Sequence, residues 1–181
     1  QYEGFIMSNQ SAHYAGETAD FKIIFPSATD AFFDKLYSIY PRSAYNSTLF
    51  QRSAIYGDYI INCPTYYMAS AVSKQNLAAY KLVFDAGSQL HGATKPFLHS
   101  VNQSNNLTLA RAMKDWYLSF AIHQNPNKQS WTSVKKPNWP AYNVQDYKVM
   151  DITYTTMGAK RDSWASTGCD FFKGQSSVVR N

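Results

Sequence analysis

The sequence predicts an α/β chain whose helices surround a few strands of a larger sheet, the remainder of which is supplied by an upstream segment. Three observations carry that prediction. Leu109, Met113, Trp116 and Phe120 recur at steps of four, three and four, the period of one helix face. Two short apolar runs, Ala79 to Phe84 and Tyr147 to Tyr154, have strand composition. Two or three strands are too small a sheet to stand alone, so further strands must come from elsewhere.

Taken in order, Gln1 to Met7 reads as the end of a strand that begins upstream, because Phe5-Ile6-Met7 has nothing before it to pair with. Thr29 and Asp30 offer an N-cap for a helix carrying Phe32, Phe33, Leu36 and Tyr37 on one side, and Pro41 should stop it. From Asn46 through Lys74 the apolar spacing suits two helices, interrupted around Gly57-Asp58 and bent near Pro64. The run to Phe84 suits a buried strand, and Asp85 to Gly92 has loop composition. Asn106 caps the strongest helix, which should end at Asn125-Pro126-Asn127. Trp131 to Asn143 reads as an irregular loop, and the last strand should precede a turn at Gly158. With no internal repeat and no linker, residues 1–181 are expected to belong to a single domain.

Composition narrows the function. The 181 residues are 45% hydrophobic and 16% charged, too apolar for a disordered tail and enough for one packed domain. No apolar run reaches the roughly 18 residues that a membrane-spanning helix needs. The 17 basic and 12 acidic residues leave a net charge of +5, but the Lys and Arg are scattered, so no nucleic-acid footprint is expected. Cys63 and Cys169 belong to no CxxC pair and stand at no zinc-ligand spacing from a histidine. Four N-x-Ser/Thr sequons, at Asn9, Asn46, Asn102 and Asn106, fit passage through a secretory, oxidising compartment. The aromatic wealth falls at helix and strand spacings that suit a core better than stacking platforms for carbohydrate.

Among residues that carry chemistry, His13, His99 and His123 have ordinary structural readings, the last as a cation at the end of a helix dipole. His91 differs. It follows a buried strand by a loop and precedes Gly92, a corner of the kind where catalytic groups are placed. Asp34 and Asp115 fall on helix surfaces, whereas Glu3 lies at a strand end beside Gly4. An acid that precedes a histidine is the chain order of an α/β-hydrolase triad, although a buried Glu and a loop His fit the same residues.

Several stretches then occur in one order: YEGF at Tyr2 to Phe5, YGDYIINCP at Tyr56 to Pro64, YKLVF at Tyr80 to Phe84, LHG with Pro96, then NPN, WPAYN and GCDFF at Gly168 to Phe172. In their order and spacing they resemble the C-terminal portion of the type-B carboxylesterase and lipase family, the cholinesterase-like α/β hydrolases, and its secreted fungal members most. The resemblance spans almost the whole chain.

That resemblance implies the C-terminal part of an α/β-hydrolase fold and a secreted, extracellular carboxylic-ester hydrolase. It puts Glu3 at the catalytic acid and His91 at the catalytic histidine, and it pairs Cys63 with Cys169. Thr94 stands where an acidic residue is usual. The chain holds no GxSxG elbow and no HGGG-like run, so the nucleophilic serine and the oxyanion hole are expected from an N-terminal segment of the same precursor. By itself this segment should be inert, either one half of a cleaved enzyme or a piece of a longer one. The substrate would be a small-molecule or lipid ester, and no metal or organic cofactor is required. The rival expectation is a cholinesterase-like binding or adhesion module without activity.

Overall fold

A computed structural model of the chain describes residues 17–99 and 106–179. The strand expected to end at Met7 lies outside the described residues, as do Glu3, Asn9, His13 and Asn102. The chain divides into two compact units, one of Gln1–Met68 with Ser163–Asn181 and the other of Ala69–Asp162.

The first unit is helical. α1 (Glu17–Ile24) was not foreseen from the sequence; α2 (Asp30–Ile39) was, and its cap is the expected one, with the Phe32 N–H donating to Thr29 Oγ1 at 3.3 Å. A single 3-10 turn, Arg42–Ala44, leads to α3 (Thr48–Gly57), which is capped by Ser47. The interruption expected at Gly57-Asp58 does not occur. Gly57 stays helical and the chain passes through a π-helical stretch, Asp58–Asn62, into α4 (Cys63–Lys74). A proline inside a helix lacks a donor and crowds the carbonyl four residues back, and a wider turn just ahead of Pro64 relieves that crowding without ending the helix. α7 (Thr167–Gly174) and α8 (Ser176–Val179) complete the unit.

Its core gathers Phe21, Phe25, Phe32, Leu36, Ile55 and Phe172 around a Cys63–Cys169 disulfide whose Cα atoms are 5.1 Å apart. Beside it, Asp58 accepts hydrogen bonds from Tyr40 Oη (2.8 Å), Trp164 Nε1 (2.7 Å) and Asn62 Nδ2 (2.9 Å). Burial, with the Asp58 charge next, pushes the Tyr40 hydroxyl well above its ordinary range. Burial and the nearby Asp170 carboxylate push Tyr67 up to about 12, and its hydroxyl donates to the Cys169 carbonyl. Both phenols therefore stay protonated donors at any ordinary pH.

The second unit holds a three-stranded sheet in the order β1 (Leu82–Phe84), β2 (Lys148–Ile152), β3 (Met157–Arg161). β1 and β2 are parallel, with Leu82 opposite Met150 and Phe84 opposite Ile152. β2 and β3 form an antiparallel hairpin, with Met150 opposite Ala159. Gly158 is thus a strand residue and not the expected turn. The reversal lies earlier, where Thr153 Oγ1 accepts the Thr155 and Thr156 N–H groups and the Thr153 N–H donates to the Thr156 carbonyl.

Between β1 and β2 run α5 (Lys95–His99), which the sequence reading missed, and α6 (Leu107–His123). α6 begins as expected, with Asn106 Oδ1 accepting from the Leu109 N–H at 2.9 Å, and ends on Gln124 in the left-handed region. Leu109, Met113 and Trp116 are buried, but Phe120 is 46% exposed. Asp115, expected on the helix surface, is buried. It pairs with Lys136 at 2.7 Å and accepts from the Trp131 N–H and the Ser130 hydroxyl, so it anchors the irregular loop that follows. The NPN and WPAYN stretches lock together: Asn127 Oδ1 accepts the Trp139 N–H and its Nδ2 donates to the Trp139 carbonyl, both at 2.8 Å. Lys81 and Tyr142 converge on buried Asp162, tying the approach to β1 to the end of β3. Among the described residues no helix is long and apolar enough to cross a membrane.

Reducing the Cys63–Cys169 bridge, which closes a loop of 106 residues, should cost about 4 to 5 kcal/mol on the chain-entropy estimate; urea unfolding with and without reductant measures it. Asp115 supplies a pH signature. Burial would raise its carboxyl, but the Lys136 ammonium, the Trp131 N–H and the Ser130 hydroxyl outweigh that and hold it below its ordinary value. Its contribution is therefore complete above the unfolded carboxylate pKa and is lost as pH falls through the lower folded value. Asp115→Ala, which strands Lys136, should cost about 3 kcal/mol at neutral pH and flatten the acid limb of the stability profile.

Candidate active site

The loop that carries His91 leaves the carboxyl end of β1. The Asp85 N–H still donates to the Ile152 carbonyl at 2.7 Å, which extends the parallel ladder by one rung before the chain turns away. Three residues then adopt left-handed backbone: Gly87 (φ 66°), Gln89 (φ 55°) and Gly92 (φ 77°). Gln89 is steadied by its own Nε2, which donates to the Asp85 carbonyl at 3.2 Å. His91 and Gly92 form a turn closed from the Ala93 N–H to the Leu90 carbonyl (2.9 Å), and the Lys95 N–H then caps back to the Gly92 carbonyl (2.9 Å). Pro96 stands in the first turn of α5, where a missing N–H costs nothing. Phe97 is buried against the Phe84 and Tyr154 rings and packs the core.

His91 is exposed on this turn, held at the end of a short, tightly specified connection. His99 is exposed at the end of α5, and His123 is exposed at the end of α6, with its Nε2 2.9 Å from Gln129 Oε1 and its ring stacked on Trp131. Glu3, the expected acid, lies outside the described residues. Among the described residues no cluster of three or more His, Cys, Asp or Glu side chains is placed to hold a metal ion.

A charge cluster that the sequence did not disclose braces the start of the loop. Lys160 Nζ lies 2.9 Å from Asp85 Oδ2 and 2.5 Å from Asp151 Oδ1, an ion pair off the hydrogen-bonding angle in the second case. Burial first, then the Asp85 carboxylate beside it, lift the Asp151 carboxyl above its usual range even though Lys160 pulls it back. Burial would lower the Lys160 ammonium, but the two carboxylates outweigh it and raise its pKa. Lys160 thus stays charged and keeps two acids together on three adjacent strand segments. No sequence signal could have found this cluster, because it needs the β2–β3 register.

No protein-family model matches the chain, and no curated protein sequence matches it. The fold does find a counterpart: the crystal structure of Aspergillus niger EstA superposes over 100% of this chain with a TM-score of 0.81 at 17% identity. The chain spans 39% of the length of EstA. At that identity the likeness establishes the fold, which is that of the C-terminal part of an α/β hydrolase.

Gly92→Ala tests the turn. A Cβ there would meet the Lys95 side chain no closer than 3.5 Å, so its cost is the backbone conformation, about 1 kcal/mol. Gly87→Ala adds a clash, since its Cβ would stand 2.5 Å from Tyr154 Oη. Urea midpoints should rank the wild type above Gly92→Ala and Gly92→Ala above Gly87→Ala.

Proposed function

We propose that the chain is the C-terminal segment of a secreted carboxylic-ester hydrolase of the cholinesterase-like kind. The observation that supports this most is the place of His91, on a specified turn just beyond the carboxyl end of a parallel strand, the position at which α/β sheets bind their ligands. The fold shared with EstA, a fungal esterase, supports the reaction class, and the disulfide and the sequons support secretion.

In this reading a serine supplied by the N-terminal segment attacks the ester carbonyl while His91 takes its proton. His91 returns the proton to the leaving alcohol and then activates water to release the acyl group. Glu3 accepts a hydrogen bond from the imidazole, which sets its tautomer and stabilises the imidazolium. Backbone amides of the N-terminal segment hold the oxyanion. Residues 1–181 then act as one part of a single catalytic domain, with that segment as their partner. The chemistry needs no metal or organic cofactor.

In the complete protein, His91→Ala and Glu3→Ala should each lower kcat/KM for a p-nitrophenyl ester by about 10⁴-fold or more, with unfolding midpoints unchanged. Full turnover in the His91→Ala protein rejects the assignment. A serine-directed phosphonate that labels the wild-type protein supports the enzyme; if it labels nothing, the chain belongs to an inactive binding module.

A further inference from the structure

Two local hydrogen bonds, from the Ala93 N–H to the Leu90 carbonyl and from the Lys95 N–H to the Gly92 carbonyl, give the His91 turn its shape. They do not give it a place, because both ends of each bond lie within the turn. A catalytic imidazole has to be held to a fraction of an ångström, so place matters as much as shape. Place comes from what grips the chain before and after the turn, and the β2–β3 hairpin grips it on both sides.

Before the turn, Lys160 of β3 reaches Asp85 Oδ2 at 2.9 Å, where the chain leaves β1. Two residues on, Gly87 meets Tyr154, which belongs to the reversal between β2 and β3. The phenol oxygen fills the space that a side chain at Gly87 would need, 2.5 Å from its Cβ position. After the turn, the same Tyr154 ring packs on Phe97 of α5, with centroids 6.2 Å apart. The Tyr154 carbonyl is itself held by Asn106 Nδ2 at 2.6 Å, which fixes the reversal against the start of α6. One tyrosine therefore touches the chain on either side of His91. Lys160 has a second task, because Asp151 also pairs with it, at 2.5 Å. The charged groups that face Asp151 are Lys160 from β3 and Asp85 from the end of β1. Without the ammonium the two carboxylates would repel each other, and Asp85 would move with the loop it begins.

We propose that Tyr154 and Lys160 are positioning residues for His91, the hairpin acting as a brace that fixes where the imidazole stands. The inference rests on the reading of His91 as the catalytic base, and neither residue touches the reacting atoms.

In the complete protein, Tyr154→Ala and Lys160→Met should each lower kcat for a p-nitrophenyl ester about tenfold with KM unchanged, because a displaced base loses chemistry and not binding. Lys160→Arg, which can still bridge two carboxylates, should keep most of the wild-type kcat. Adding Asp151→Asn to Lys160→Met removes the repulsion and should recover about threefold of the lost rate. Arg161→Ala is the control: it strips a contact with Tyr147 from the far end of the same strand and should leave kcat unchanged. Amide hydrogen exchange at Ala93 should be about tenfold faster in Tyr154→Ala than in the wild type, with exchange at Met150 of β2 unchanged. Tyr154 is 45% exposed in the hairpin reversal, so that variant keeps the fold. Unchanged kcat in Tyr154→Ala, unchanged exchange at Ala93, or an equal loss in Arg161→Ala overturns the proposal. Turnover that survives in His91→Ala rejects the esterase reading and the brace's role in it, whereas an inactive His91→Ala beside a fully active Tyr154→Ala rejects the brace alone.

Discussion

Two parallel strands cannot be joined by a hairpin, and most of the second unit follows from that constraint. β1 and β2 run side by side in one direction, so the chain must leave β1 at its carboxyl end, travel back over the sheet and re-enter at the start of β2. Everything between Phe84 and Lys148 is this crossover: the His91 turn, α5, α6 and the loop held by Asp115 and Asn127. His91 is the corner where the crossover begins. Its position is set by the Asp85 rung, by three left-handed residues and by the Lys160 bridge between Asp85 and Asp151.

In the helical unit the comparable organising group is a carboxylate beside a disulfide. Asp58 draws in Tyr40 and Trp164, far from it in the chain, and its neighbour Asn62, and the Cys63–Cys169 bridge joins α4 to α7 a few residues away. Asp58, Asn62, Cys63 and Cys169 are residues of the YGDYIINCP and GCDFF stretches. Three further stretches are likewise architectural: YKLVF ends in β1, and NPN and WPAYN interlock through Asn127. The chain shares the fold of EstA at 17% identity.

The sequence was legible where the signal was local. Thr29 and Asn106 cap helices by hydrogen bonds that span three residues, and the spacing of Leu109, Met113 and Trp116 records which side of α6 is buried. It was illegible where the deciding group came from elsewhere. Gly158 looks like a turn until Ile152 and Met157 pair across the Thr153 reversal and draw it into β3. Asp115 looks like a surface acid until Lys136, Ser130 and the Trp131 N–H arrive to satisfy it inside the core. The π-helical passage at Asp58 lies just ahead of Pro64, and two of the donors to Asp58, Tyr40 and Trp164, come from outside it.

For the candidate site the division is the same. The sequence by itself determined the residue types: a histidine followed by glycine after a buried strand, two cysteines, and a polar capping residue such as Thr29 or Asn106 ahead of a helix, because steric freedom, thiol chemistry and capping are properties of a residue and its nearest neighbours. Only the tertiary structure decided that β1 is parallel to β2 and that a lysine from a strand absent from the sequence reading braces the His91 loop. Those outcomes depend on strand register and on side chains tens of residues distant, and no local pattern along the chain records such pairings.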